Sequence, residues 1–207
     1  MARRTQKQRR EATISRLIAA TVEALAGVGH SRASISEICR RAEVSHGGLF
    51  RHFPSRVALM SAAGVAIGKG LVADAAAAFA RTVGEGGLRP EDRARVAVVA
   101  AMELSGGPAA SAWRELLVAA RTDADLCAGL VPTEAAFRDG VRQLMQATLG
   151  ADVDAEPVAR QAFRVMAVLD SMAIHEPVLA MHEGEAELQL EWLVGLAQSA
   201  LDLVDNR

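Results

Sequence analysis

Apolar positions in this chain recur with the period of a helix from one end to the other. Ile14, Leu17, Ile18, Thr21, Leu25 and Val28 share one face at 3.6-residue spacing, and Gly27 and Gly29 follow as a stop. No stretch alternates apolar and polar residues as a half-buried strand does. Ser34 and Glu37 have the S-x-x-E spacing of a capping box and open a short second helix to about Arg41. Ser45 is placed to cap a third helix, and Pro54-Ser55 to start a fourth that runs from Arg56 to Arg81. Gly64, Gly68 and Gly70 inside that helix each cost about 1 kcal/mol against Ala, so they are expected to mark close packing or a bend. Pro90 opens a fifth helix and Pro108 a sixth, whose face carries Trp113, Leu116, Leu117 and Ala120. A seventh, Asp125 to Leu149, has the face Phe137, Val141, Leu144 and Thr148 and is expected to be interrupted at Pro132. The eighth and ninth are expected over Glu156 to His175 and Glu185 to Val204. The expected fold class is all-α, with about nine helices.

Composition narrows the class. A chain of 207 residues, 51% apolar and 23% charged, can bury a core without disulfides or metal. Lys69 and Asp74 interrupt the best apolar run, so no membrane span is expected. The basic N-terminus has no apolar run behind it, unlike a secretory signal. Cys39 and Cys127 suit a reducing compartment, and a cytoplasmic location is expected. The net charge of -2 conceals a split: residues 1–60 hold eleven Lys+Arg against four Glu, while the remainder holds twelve against twenty-one acids. A basic first segment points to a polyanion partner.

Residues 34–53, SISEICRRAEVSHGGLFRHF, place a capped helix, a short turn at Ala42-Glu43-Val44 and a second short helix. This is helix-turn-helix spacing, in which the first helix braces the second and the second enters a major groove of double-stranded DNA. Ile38, Val44 and Leu49 are expected to close the small core, and Gly47 and Gly48 to let the backbone approach DNA. Together with LIAATVEALAGVG upstream and PSRVALM downstream, the run from Arg10 to Met60 resembles the DNA-binding domain of the TetR family of bacterial transcriptional regulators. The resemblance rests on Ala19-Ala20, Gly29, Ile38, Val44-Ser45, Gly47-Gly48-Leu49-Phe50, His52-Phe53 and Arg56. Three positions depart from the pattern. Glu43 replaces a turn Gly, Phe50 replaces a Tyr whose hydroxyl would bond phosphate, and Arg56 replaces a Lys.

The resemblance implies a helix-turn-helix DNA-binding domain at 1–55 and a helical ligand-binding and dimerisation domain at 56–207. Base edges fall to Ser36, His46, Gly48 and Arg51, with Arg51 suited to guanine, while Gly47 and Phe50 complete the reader helix. Ser34, Ser45, His52 and Arg56 suit phosphates, and Arg3, Arg4, Arg9 and Arg10 an N-terminal arm. A homodimer through the last two helices is implied too. The ninth helix supports it independently, because Leu190, Trp192, Leu193, Val194, Leu196, Ala197, Ala200, Leu201 and Val204 fill an arc wider than one core requires.

A pocket for an unknown small-molecule effector could be lined by Met102, Trp113, Leu117, Phe137, Val141, Met145, Phe163 and Met166. Asp170 falls within the apolar face of the eighth helix, made of Phe163, Met166, Ala167, Leu169, Ala173 and Ile174. It either pairs with an internal group such as Arg121 or Arg142 or faces a ligand. No metalloprotease motif, phosphate loop, nucleophile elbow or cysteine pair occurs, so neither an enzyme nor a cofactor is expected. His175-Glu176 and His182-Glu183 are separated by Pro177, so no metal site is expected. A ligand-released repressor is the leading reading; a helical interaction module or a metal-dependent sensor is the alternative.

Overall fold

The computed structural model describes residues 5–83, 90–149, 154–175 and 185–205, in which every regular element is a helix. Thr5 starts α1 (Gln6–Val28) with a reciprocal capping box: its hydroxyl accepts the Gln8 N–H at 3.2 Å, and the Gln8 side chain accepts the Thr5 N–H at 2.9 Å. The helix ends where Gly29 takes φ 79°, and its N–H bonds the Leu25 carbonyl. Then come α2 (Ile35–Ala42), α3 (His46–Phe50) and α4 (Arg56–Val83), the last opened by Ser55, whose hydroxyl accepts the Ala58 N–H at 3.1 Å. Prolines stand at the first position of α5 (Pro90–Ser105) and α6 (Pro108–Ala120), where their missing N–H is not needed. The remaining helices are α7 (Ala124–Leu149), α8 (Glu156–His175) and α9 (Glu185–Asp205).

Two expectations about single helices are corrected. Pro132 does not interrupt α7, which is helical through it. An interior proline costs about 3 kcal/mol, and the burial of Leu130 and Phe137 around it helps to offset that cost. The buried face of α8 is Val158, Ala159, Gln161, Val165 and Leu169, whereas Ala167 and Ile174 are exposed. Burial follows Val158 and Val165, spaced seven apart, and not the Phe163-Met166 edge.

Two compact units form, and each gathers two stretches of chain. The first comprises Met1–Gly70 with Pro108–Ala135, the second Leu71–Gly107 with Ala136–Arg207. In the first unit α1 packs on α2 and α6 around fully buried Leu17, Leu25, Ile38, Leu49, Leu59, Met60, Leu116 and Leu126. Gly64 of α4 marks a close approach of helices, since a Cβ there would lie 2.8 Å from Leu130 and 3.4 Å from Trp113. Gly70 faces open space, so close packing explains the first of these glycines and not the last.

In the second unit α5, α8 and α9 pack together around Val98, Val165, Leu169 and Leu193, with Met102, Met172, Leu190 and Leu196 at the margin. The buried Gln161 amide donates to the Leu196 carbonyl at 2.8 Å, satisfying a polar group inside this core. The Arg56–Arg81 stretch of α4 is long and apolar enough by composition to cross a bilayer, despite Lys69 and Asp74. Its Leu59, Met60, Ala63, Ile67 and Ala78 are buried inside protein.

Candidate nucleic-acid interface

Two short helices and one left-handed residue build the reader. The Ser34 hydroxyl accepts the Glu37 N–H at 3.2 Å and starts α2. The Glu37 carboxylate does not return to the Ser34 N–H as a capping box would. It takes Arg40 at 2.9 and 2.7 Å and Arg41 at 2.7 Å, while the Ser34 N–H goes to the Arg32 carbonyl at 2.8 Å. Two guanidiniums outcompete one amide for a carboxylate, and they hold Glu37 down to a pKa of about 2. Glu43 ends α2 at φ 53° and ψ 44°, a left-handed conformation that costs a side-chain-bearing residue about 1 kcal/mol. The Val44 N–H then reaches back to the Cys39 carbonyl at 3.1 Å. Ser45 caps α3 by accepting the Gly48 N–H at 3.1 Å, and Leu49, wholly buried, roots this one-turn helix in the core.

Above that root, Ser36, His46, Gly47, Phe50 and Arg51 are exposed. The i,i+4 spacing puts His46 with Phe50 and Gly47 with Arg51 on adjacent strips. A Cβ on Gly47 would meet nothing within 4 Å, so the backbone there is open to a close neighbour. Gly48 differs from its neighbour: a Cβ would lie 2.9 Å from Val44 Cγ1 and 3.2 Å from Ser45 Oγ, so the cap itself accounts for the missing side chain.

The groups expected on phosphates divide. Ser34 and Ser45 are exposed caps, and His52 is half-buried with Nδ1 enclosed and without a hydrogen-bond partner. Arg56 is employed inside the protein. Its Nη2 donates to the His30 carbonyl at 2.6 Å, its Nη1 lies 3.1 Å from His30 Nε2, and Nε and Nη2 each reach the Ala33 carbonyl at 3.4 Å. Carbonyls of the α1–α2 turn satisfy this guanidinium as phosphate oxygens would, and burial pushes its pKa down. Arg9 and Arg10 lie within α1 and so are not part of an extended arm; Arg3 and Arg4 lie outside the described residues.

Arg32 and Arg40 lie outside the motif positions and bond the Val28 carbonyl and the Glu37 carboxylate. With Val28, Ser34, Ser36 and Glu37 they line a groove of about 440 Å³ at the start of α2. Both belong to the arginine excess of residues 1–60, and Arg40 stands at i,i+4 from Ser36.

The residues expected to line an effector pocket fall in both units. Trp113 and Leu117 belong to the first, Trp113 buried against Gly64 and Leu117 exposed. In the second, Phe137 and Phe163 meet edge to face at 6.3 Å, and the Arg138 guanidinium stands 4.6 Å over the Phe163 ring. Val141 is buried, Met145, Met166 and Asp170 are half-buried, and Met102 packs against the Val98 core. Arg142, expected as a partner of Asp170, bonds Asp139 on its own helix at 2.6 Å. A groove of about 300 Å³ in this unit is lined by other residues, Ala78, Arg81, Arg95, Val96, Val99, Ala100 and Glu103. His175 Nδ1 lies 2.7 Å from the Ser171 carbonyl, while Glu176, His182 and Glu183 lie outside the described residues. Among the described residues no three His, Cys, Asp or Glu side chains gather as metal ligands would.

A braced, exposed reader helix behind a capped partner defines a helix-turn-helix DNA-binding regulator. The model for bacterial regulatory proteins of the tetR family matches residues 17–63. An HTH-type transcriptional regulator of Mycobacterium bovis is 32% identical over 96% of this chain and 99% of its own length. The chain therefore belongs to the TetR family of transcriptional regulators. Its fold is that of a solved TetR-family regulator from Mesorhizobium loti, with TM-score 0.68 at 12% identity over 97% of this chain and 96% of that one. It is also similar to a multidrug binding protein solved in complex with imidazole, with TM-score 0.59 at 24% identity over 88% of this chain and 93% of that one.

Proposed function

We propose that this protein is a ligand-released repressor that binds a pseudo-palindromic operator as a homodimer in the cytoplasm. Residues 1–55 carry the reading of DNA, and residues 56–207 carry effector binding and dimerisation. The observation that supports this reading best is the exposure of His46, Gly47 and Arg51 on a helix whose other face is anchored by Leu49. Ser36, His46 and Arg51 read base edges, with Arg51 bidentate to a guanine, and Ser34, Ser45 and His52 hold phosphates.

The dimer joins α8 and α9 of two copies. Ile174, Leu188 and Trp192 are 50%, 73% and 57% exposed on those helices and offer apolar surface that a second copy would cover. Two-fold symmetry then sets half-sites about one helical turn or more apart. The effector is a small molecule held in the second unit near Phe137, Phe163, Met166 and Asp170; the likeness to a multidrug binding protein supports a ligand-binding role. It releases DNA by favouring a conformation of lower operator affinity.

Selection of bound sites from a random duplex pool at near-physiological salt tests the reading, because non-specific basic binding fades there. An enriched inverted repeat is expected. A folded protein that enriches nothing would favour an interaction module instead.

A further inference from the structure

The turn between α1 and α2, residues 29–34, carries the cap of the reader's first helix, and charged groups grip it from two sides. From α6, the Glu115 carboxylate accepts the His30 backbone N–H at 2.6 Å, across 85 residues of sequence. From the first residue of α4, Arg56 donates to the His30 carbonyl at 2.6 Å and spans to the Ala33 carbonyl at 3.4 Å. The donor and acceptor of one main-chain residue are thus taken by an anion and a cation from two different helices. Gly29 completes the arrangement: a Cβ at its positive φ would lie 3.1 Å from Glu115 Oε2, so a side chain and the carboxylate compete for one space.

We propose that Glu115 is a positioning residue for DNA reading, which fixes the first turn of α2 by holding the His30 amide against the pull of Arg56. Glu115 lies on α6, outside the helix-turn-helix, and its hydrogen bond reaches the turn through the His30 main chain. The proposal rests on the reading of α2 and α3 as a DNA reader. The main-chain path from His30 to the Ser34 cap is four residues, with the Ala33 N–H returning to the Gly29 carbonyl at 3.0 Å, so a shift at His30 is carried to Ser34 and Ser36. A displacement of about 1 Å would stretch either 2.6 Å bond beyond hydrogen-bond range.

The test compares the full-length protein with Glu115→Ala, Glu115→Gln and Gly29→Ala. Three quantities are read: affinity for the operator recovered by selection, affinity for random duplex, and hydrogen exchange at the His30 amide. Glu115→Ala is expected to lose about tenfold on the operator and little on random duplex, with His30 exchange accelerated at least about tenfold. Glu115→Gln, whose amide oxygen still accepts the N–H, should recover most of both losses, and Gly29→Ala should reproduce them. Unchanged operator affinity alongside faster His30 exchange would overturn the positioning role. Equal losses on operator and random duplex, with a lowered melting temperature and no rescue by Gln, would reduce Glu115 to a fold stabiliser and likewise overturn it. If the parent enriches no operator, the DNA-reading assumption fails and the proposal with it, while the exchange measurement still reports separately whether the bond forms.

Discussion

The two units hold their side chains by different mixtures of the same forces. In the first, directional bonds do the placing: Ser34, Ser45, Ser55 and Asp123 each accept a main-chain N–H at a helix start, and Glu115 and Arg56 share the main chain of His30. In the second, aliphatic packing dominates: Val98, Val165, Leu169 and Leu193 close a core bordered by methionines, beside the buried Gln161 bond to Leu196, the Asp154 cap on α8 and the Arg95–Glu191 ion pair. A hydrogen bond demands one donor at one distance, whereas apolar packing accepts many side chains of similar volume. A reader of DNA needs the first kind of order, and a unit that adapts to a ligand can be built on the second.

The contrast is broken most severely at Leu49, which alone roots a one-turn helix. Leu49→Ala should lower unfolding stability by about 2–5 kcal/mol in denaturant melts, and Leu49→Met should cost more than Leu169→Met in the second unit, which is expected below about 1.5 kcal/mol. Similar losses at both sites would remove the distinction. Arg51→Ala should next cost about 1–3 kcal/mol on the selected operator and relax one base position when selection is repeated, with stability unchanged. An unaltered preferred site would strike Arg51 from the readers.

The smallest effect is in pH. Among the described residues, each group shifted from its ordinary pKa belongs to the first unit: His30, Glu37, Cys39, Arg40 and Arg56. Burial, and then the neighbouring Arg56 cation, hold the His30 imidazole below its ordinary 6.5. The unfolded chain therefore binds more protons there, and stability should decline as pH falls below about 6.5. Glu37, held near 2 against an ordinary 4.5, gives stability present above 4.5 and lost as pH falls through about 2. Melting temperature followed from pH 8 to pH 4 should fall in the parent and fall less in His30→Gln. A flat profile in both would show that this network contributes nothing to pH dependence.

What could be read before the structure was mostly local. The Ser34, Ser45 and Ser55 caps and the starts of α5 and α6 at proline all follow from residues within one turn of each other. The Thr5-Gln8 box was equally readable as T-x-x-Q and was missed because the basic residues around it suggest an arm. The fate of Arg56 was not readable, since a half-buried guanidinium bonded to carbonyls and one on a phosphate have the same sequence around them. The effector-lining residues were hardest, because an apolar residue at helical spacing looks the same whether it faces a core, as Met102 does, or a cavity.

By itself the sequence determined the helical class, the element order and the helix-turn-helix with its Leu49 root and exposed Arg51, because these depend on periodicity and on contacts within a few residues. Only the tertiary structure decided that Arg56 turns to the His30 and Ala33 carbonyls and that α6 joins the reader's unit through Glu115. Each of those outcomes is a competition among several possible partners. Spacing can nominate the partners, but the winner is whichever one helix packing brings within about 3 Å.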